Sequence, residues 1–370
     1  MINTVTSGLP GTPEALTDGE LDMPIASCSV CGTPLILGKR TSWCPDGSIR
    51  TADDASLRLV FMDTEEMNSL FATLAGQLGI SMDGFLQEGS REFSRRYVSL
   101  LVQLLNRQDL SHFPGEESVY AVLCDHMRIW GLARPTISEY RDHEGLSLEL
   151  LNPVNPTLPC GYFRGATEIL EGFPASCSWD GDDREGRLDI LMEEDAQPLS
   201  EDPREMVVED VGKGNIEFNS CPECGVPQNI SRISWDIDSG IITDVVNGRR
   251  VAIIGADILG VAFALLAEEM GGHVLSRVVE AEREYARDVL FPVMHLSNDP
   301  FELRVRFGAL GHGDITGVVK ENTVFKIRHP FNPHFMAGRV LGFYEAWRGE
   351  RVAAEWRVSE WGTAYVTIYN

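Results

Sequence analysis

Two Cys-x-x-Cys pairs stand far apart in this chain, Cys28 and Cys31 in CSVCGTP and Cys221 and Cys224 in CPECGVP. Such a knuckle places two thiolates on one side of a tight turn whose N–H groups can donate to the sulfurs, and the Gly after the second Cys lets the chain reverse. A structural zinc takes four ligands in a tetrahedron, so each knuckle supplies half a site. The halves can meet if two similar parts of the chain pack about a pseudo-two-fold axis, as a dimer fused into one chain would. The expectation is one four-cysteine site of Cys28, Cys31, Cys221 and Cys224, holding structural Zn2+ with no position open to a substrate. Other arrangements stay open. Cys44 could join Cys28 and Cys31 in a site confined to the first part, where the second part carries Asp236. The pairs could be redox-active dithiols, although no thioredoxin-like βαβ pattern surrounds them, or they could hold an iron–sulfur cluster.

The two knuckles belong to a longer self-similarity. Ser42-Trp43 and Asp46 match Ser234-Trp235 and Asp238. Phe71, Leu74, Gly79, Glu88, Arg91, Glu92 and Arg95 each lie 192 positions before an identical residue. Further on the offset becomes 177, and Pro153, Asn155, Pro156, Gly161, Gly165, Glu168, Gly172 and Trp179 all recur. A domain-sized period indicates a tandem duplication and not a solenoid. The expected division is a flexible acidic tail over 1–25, repeat 1 over 26–193, an acidic Pro-containing linker over 194–217, and repeat 2 over 218–370.

Each repeat opens with its knuckle and a short hairpin around Trp43 or Trp235. RRVAIIG then reads as a buried strand. Asp257 is placed to cap the following apolar helix, which Gly271-Gly272 ends. LSRVVEAEREYARDVL is an amphipathic helix expected to carry Arg283, Glu284 and Arg287 on its solvated side. A third helix is expected to end at Gly131 or at its aligned partner Gly308. A strand pair, a Gly-x-x-x-Gly helix (Gly161 and Gly165, or Gly338 and Gly342) lying close against a sheet, and a closing strand pair complete the unit. The class is α+β, helices packed on one antiparallel sheet per repeat.

This order of helices, strand pair, Asn-Pro segment, Gly-x-x-x-Gly helix with a Glu, and closing strand pair resembles the 4-vinyl reductase or hydrocarbon-binding domain superfamily. That superfamily shares its fold with haem nitric-oxide-binding domains and Golgi transport-particle subunits. The resemblance covers the part of each repeat after the knuckle. It implies domains that hold small hydrophobic or aromatic molecules, tetrapyrroles or acyl chains between helices and sheet, and that act as sensors or assembly modules. Cys160 and Cys177 stand near the closing hairpin of repeat 1 but have no counterparts in repeat 2, and the Tyr-x-Ser-x-Arg signature of haem-binding members is missing. The resemblance therefore does not extend to haem.

Composition narrows the partners. The formal net charge of −25 opposes binding to nucleic acid or an anionic membrane surface. The apolar runs YVSLLVQLL and VAFALLAEEM are too short to span a bilayer. No basic, apolar signal peptide opens the chain, and Cys-x-x-Cys pairs without one suggest metal or redox chemistry before disulfides. A cytoplasmic protein is expected.

Catalytic constellations are hard to find. Cys124, Asp125 and His126 are consecutive on a helix and point in different directions. His329 and His334 have no histidine counterparts in repeat 1. IIGADILG lacks the glycine pattern of a dinucleotide loop, and DGDDREG reads as a hairpin turn before a calcium loop. Phe331, Phe343, Tyr344 and Trp347 on or beside the last helix, with Tyr162 and Phe163 in repeat 1, are candidates to line an apolar pocket, or to be ordinary core. The sequence thus suggests a non-catalytic, zinc-containing protein that binds a small hydrophobic or aromatic ligand as sensor, carrier or assembly subunit, with a protein partner such as an enzyme or regulatory complex. The alternative is an accessory, reductase-like enzyme acting on an aromatic, tetrapyrrole or acyl substrate.

Overall fold

The computed structural model describes residues 25–52, 54, 56–107, 116–193, 214–294, 300–319, 322–360 and 362–369. The expected acidic tail and most of the expected linker fall outside them. After the first knuckle come a short helix α1 (Leu35–Arg40) and a meander of β1 (Thr41–Trp43), β2 (Ile49–Thr51) and β3 (Arg58–Asp63). Helices α2 (Thr64–Leu78), α3 (Asp83–Arg107) and α4 (Glu116–Ile129) follow. Then come β4 (Arg134–Arg141), β5 (Gly145–Leu151), α5 (Thr157–Glu171), β6 (Ala175–Gly181) and β7 (Glu185–Met192). The second half begins with its knuckle and a 3-10 turn, then β8 (Ile233–Asp236), β9 (Ile241–Asp244) and β10 (Arg249–Gly255). Its helices are α6 (Ala256–Met270), α7 (Val274–Tyr285), the short α8 (Phe291–Met294) after a π turn, and α9 (Pro300–Ala309). Strands β11 (Asp314–Val319) and β12 (Asn322–Arg328), helix α10 (Pro333–Arg348), and strands β13 (Ala353–Val358) and β14 (Ala364–Tyr369) close the chain.

The class is α+β with antiparallel sheets, as the sequence suggests. Two four-stranded sheets have the same internal order, β4-β5-β7-β6 and β11-β12-β14-β13. Between them a six-stranded sheet, β1-β2-β3-β10-β9-β8, is contributed half by each part of the chain. Its central pair is antiparallel, with Phe61 opposite Ile253. Both central strands are buried almost throughout, which accounts for their near-continuous apolar sequences.

The same contacts occur twice, each time across the halves. The Trp43 indole N–H donates to the Ala309 carbonyl (2.9 Å) and the Trp235 indole to the Ile129 carbonyl (3.1 Å). Phe61 N–H bonds the Leu310 carbonyl, and Ile253 N–H bonds the Trp130 carbonyl. The Arg58 guanidinium reaches the carbonyl of His329, and Arg250 reaches that of Asn152. Both acceptors stand in left-handed backbone, at φ 48° and 52°. Helix α2 packs on α7, and α3 packs on α6. Each hairpin therefore lies on the four-stranded domain of the other half. Phe71 stacks on Phe263 with ring centroids 5.9 Å apart, and the main core runs continuously through both halves.

Local details revise several expectations. Asp63 caps α2, accepting from Glu65 N–H and Glu66 N–H, but the matching cap of α6 is Gly255, with no side-chain bond. Asp257 lies inside that helix and pairs with Arg96 of α3. The glycine that turns the chain after α9 is Gly311 (φ 82°), the equivalent of Gly131 (φ 70°), while Gly308 lies within the helix. The alignment slips here because the hairpins that follow differ by three residues. Gly161 and Gly165 press α5 against α3, and Gly338 and Gly342 press α10 against α7. A Cβ at any of the four would collide with a backbone carbonyl of the facing helix. The small-residue seam is thus helix against helix, not helix against sheet.

Candidate metal centre and the buried polar groups

The two knuckles fold alike. Cys28 N–H bonds the Thr33 carbonyl and Gly32 N–H the Cys28 carbonyl, just as Cys221 bonds Val226 and Gly225 bonds Cys221. Gly32 and Gly225 take φ values of 74° and 76°, open to glycine at no steric cost. The knuckles face each other. The Cys28 and Cys221 sulfurs are 3.7 Å apart, and those of Cys31 and Cys224 are 3.4 Å apart. All four sulfurs lie within 4.8 Å of one another. A tetrahedral zinc with Zn–S of about 2.3 Å requires sulfurs about 3.8 Å apart, and these separations agree. Ser29 ties the knuckles further by donating its hydroxyl to Glu223 at 2.6 Å. The four cysteines can hold one metal ion. Backbone N–H groups of Cys224 and Glu223 draw the Cys221 thiol down to about 7, while burial pushes Cys224 up to about 12. A bound cation would deprotonate all four. Cys44 stands outside the group, its thiol toward the Ser42 carbonyl.

Cys160 and Cys177 form a disulfide. The reading of cysteines as metal or redox groups therefore applies to the knuckles and not to this pair.

Arg283 and Arg287 are not on a solvated face. Both reach the fully buried Glu345 of α10, and Arg91 and Arg95 of α3 reach the equally buried Glu168 of α5. Burial pushes the Glu345 carboxyl up, but bonds from Arg283 and from Val352 N–H outweigh it and hold it below the usual range. The repeated Arg and Glu residues are thus explained as one interhelical ion cluster per half.

A second buried network occurs once among the described residues. Arg339 of α10, 2% exposed, pairs with Glu66 of α2 and with Glu282 of α7, and lies 4.6 Å from the Phe335 ring centroid. It also donates to His312 Nδ1 at 2.9 Å, while His312 Nε2 bonds the Phe61 carbonyl. Burial and the adjacent Glu66 push the Glu282 carboxyl well up, and burial with Arg339 holds His312 neutral. Sequence reasoning missed this group. Its signal was an arginine in the otherwise apolar run FMAGRVLGF.

In the first half an aromatic cluster lies between α3, α4 and α5. Trp130 meets Tyr97, His126 and Tyr162 with centroids 5.3, 5.7 and 5.9 Å away. The Tyr97 hydroxyl bonds His126 Nδ1 at 2.9 Å, and burial lowers that histidine to about 4. The buried Tyr162 hydroxyl has no hydrogen-bond partner among the described residues.

The other pocket candidates divide into separate places. Phe163 is fully buried beside Tyr162. Phe331 packs between His312 and Phe335. Phe343 joins Phe291 and Phe307. Tyr344 lies between Phe325 and Trp347, and Trp347 is 62% exposed. Cys124 is buried and its thiol is pushed up to about 12, while Asp125 pairs with Arg128 and His126 with Tyr97. The three residues do not act together. Asp182 accepts from Arg184 N–H and Glu185 N–H within the β6–β7 turn. No described helix is long and apolar enough to cross a membrane.

No protein-family model matches the sequence, and no curated protein matches it. Among solved structures, the chain is similar to the phenol-responsive sensory domain of the transcription activator PoxR, solved with phenol. The identity is 16%, over 42% of this chain and 87% of that one, with a TM-score of 0.33. These comparisons leave the superfamily suggested by the motif order unassigned.

Proposed function

We propose that this protein is a non-catalytic, zinc-containing small-molecule-binding protein, a sensor, carrier or assembly subunit, built as a fused dimer of two duplicated halves. The convergence of Cys28, Cys31, Cys221 and Cys224 carries the proposal, because their sulfur separations suit a tetrahedral ion and each half alone has only two ligands. With four thiolates bound, zinc has no open position and serves as a clasp. It closes the two knuckles and holds each hairpin on the opposite domain. The duplication is supported by the twice-occurring Trp, Arg and strand contacts. Ligand binding is supported by the buried aromatic cluster with its unpaired hydroxyl and by the motif order shared with hydrocarbon-binding domains.

Native mass spectrometry of the full chain tests both parts. The expected result is one zinc per chain, released on denaturation, and an apolar molecule in the organic extract. A metal-free protein with an empty extract contradicts the proposal.

A further inference from the structure

Three donor side chains of a different kind from the cysteines meet beside the first four-stranded sheet. Asp142 and His143 stand in the turn between β4 and β5, and Glu171 is the last residue of α5. One donor atom from each lies within 4.8 Å of the other two. The Glu171 side chain is 3% exposed, and its Oε2 stands 2.9 Å from His143 Nδ1. Two ligands that share one metal at about 2.1 Å each are about 3.0–3.4 Å apart, close to that separation. The Asp142 and His143 side chains are 70% and 67% exposed, so the group is open to solvent on one side. On the other side the buried carboxylate is held in place. The Tyr140 hydroxyl donates to Oε1 at 3.3 Å, the Tyr120 hydroxyl stands 3.5 Å from the same oxygen, and the two rings pack with centroids 5.6 Å apart. Outer hydrogen bonds of this kind orient the carboxylates that ligate metals.

We propose that Asp142, His143 and Glu171 form a second metal site, one per chain, which takes a first-row divalent cation on one imidazole and two carboxylates and leaves its remaining positions to water. Imidazole selects zinc and its transition-metal neighbours over calcium and magnesium, and carboxylates accept the same ions. A centre of four thiolates is closed, whereas three protein ligands facing solvent leave room for an oxygen donor from outside. The negative end of the α5 dipole lies at Glu171 and favours a cation there. The site belongs to the first half alone. At the offset of 177 that relates α5 to α10, Glu171 is replaced by Arg348, which pairs with Glu350. A guanidinium at that point repels the ion that the carboxylate would hold. Once bound, the ion ties the β4–β5 turn to the end of α5. The site depends neither on the cysteine clasp nor on the small-molecule-binding reading above.

The probe is Co2+, titrated into the full-length chain after its four knuckle cysteines have been loaded with zinc, and followed by visible absorption and calorimetry. One Co2+ should bind per chain, with the weak bands of nitrogen and oxygen ligation and without the intense near-ultraviolet absorption of cobalt thiolate. Tyr140→Phe, which loosens the buried carboxylate but removes no ligand, should weaken binding about 10–100-fold. Glu171→Gln and His143→Asn should weaken it further. His143 stands at φ 56°, a backbone region that asparagine tolerates, so His143→Asn should fold like the parent even if Glu171→Gln does not. Asp182→Asn, in the turn between β6 and β7, should bind Co2+ as the parent does. Excess Co2+ should raise the urea midpoint of the parent and leave that of His143→Asn unchanged. Failure of the zinc-loaded chain to bind Co2+, equal binding by the parent and His143→Asn, or a spectrum of cobalt thiolate alone overturns the assignment.

Discussion

Replacing Arg339 by leucine removes the cation shared by Glu66 and Glu282, which are 1% and 0% exposed. The two buried carboxyl groups are then left without their cation, and His312 Nδ1 loses its donor. Breaking a buried pair by deleting one partner costs about 3–5 kcal/mol, a large part of the roughly 5–15 kcal/mol that holds a typical protein folded. Exchanging the whole network for the residues of the first half removes the charges together: Arg339→Tyr, Glu282→Ser, Glu66→Ile and His312→Leu. Replacing buried ion pairs by apolar groups is often neutral, so the fourfold variant should lie within about 1 kcal/mol of the parent. Equilibrium urea unfolding in saturating zinc, followed by circular dichroism, measures both. A single variant that loses less than about 1 kcal/mol, or a fourfold variant no more stable than Arg339→Leu, would refute the reasoning that these buried charges are held only by one another.

Acid should weaken the fold through His126. Its folded value of about 4 lies below the ordinary imidazole range, so the unfolded chain binds the proton first. The stability this contributes is present above about pH 6.5 and is lost as the pH falls toward 4, by up to ~3 kcal/mol. His126→Gln should flatten that part of the profile in urea midpoints taken between pH 7 and 4, and an unchanged slope would count against it. Gly165→Ala places a methyl group against the Arg91 carbonyl. It should cost about 1–3 kcal/mol by overpacking, whereas Gly76→Ala, in open space, should be neutral or slightly stabilising in the same urea assay.

Much of the fold is legible in the sequence because short-range rules govern it. The knuckles, the buried strand RRVAIIG, the Asn-Pro starts of α5 and α10 and their Gly ends all follow from local backbone and burial demands. Asn332 caps α10 through His334 N–H and Phe335 N–H, and Gly172 and Gly349 end their helices in the left-handed region. The four metal-ligand candidates could be paired because a tetrahedral ion needs twice what each knuckle supplies. What the sequence concealed depends on partners distant in the chain. Amphipathicity cannot distinguish a solvated arginine from one aimed at a buried carboxylate, so Arg283 and Arg287 read as surface until α10 brings Glu345 to them. The exchange of hairpins between halves was equally hidden, since the same local elements suit a self-contained repeat. Of the pocket candidates, Phe343, Tyr344 and Trp347 are close in sequence along α10, and the helix distributes them around its circumference.

X-ray absorption at the zinc edge of the full-length protein tests the shared clasp most directly. The account predicts one zinc per chain with four sulfur ligands near ~2.3 Å, and loss of that zinc from Cys28→Ser and Cys221→Ser alike. A zinc with two or three sulfurs, or one held undiminished after either knuckle is broken, would contradict it.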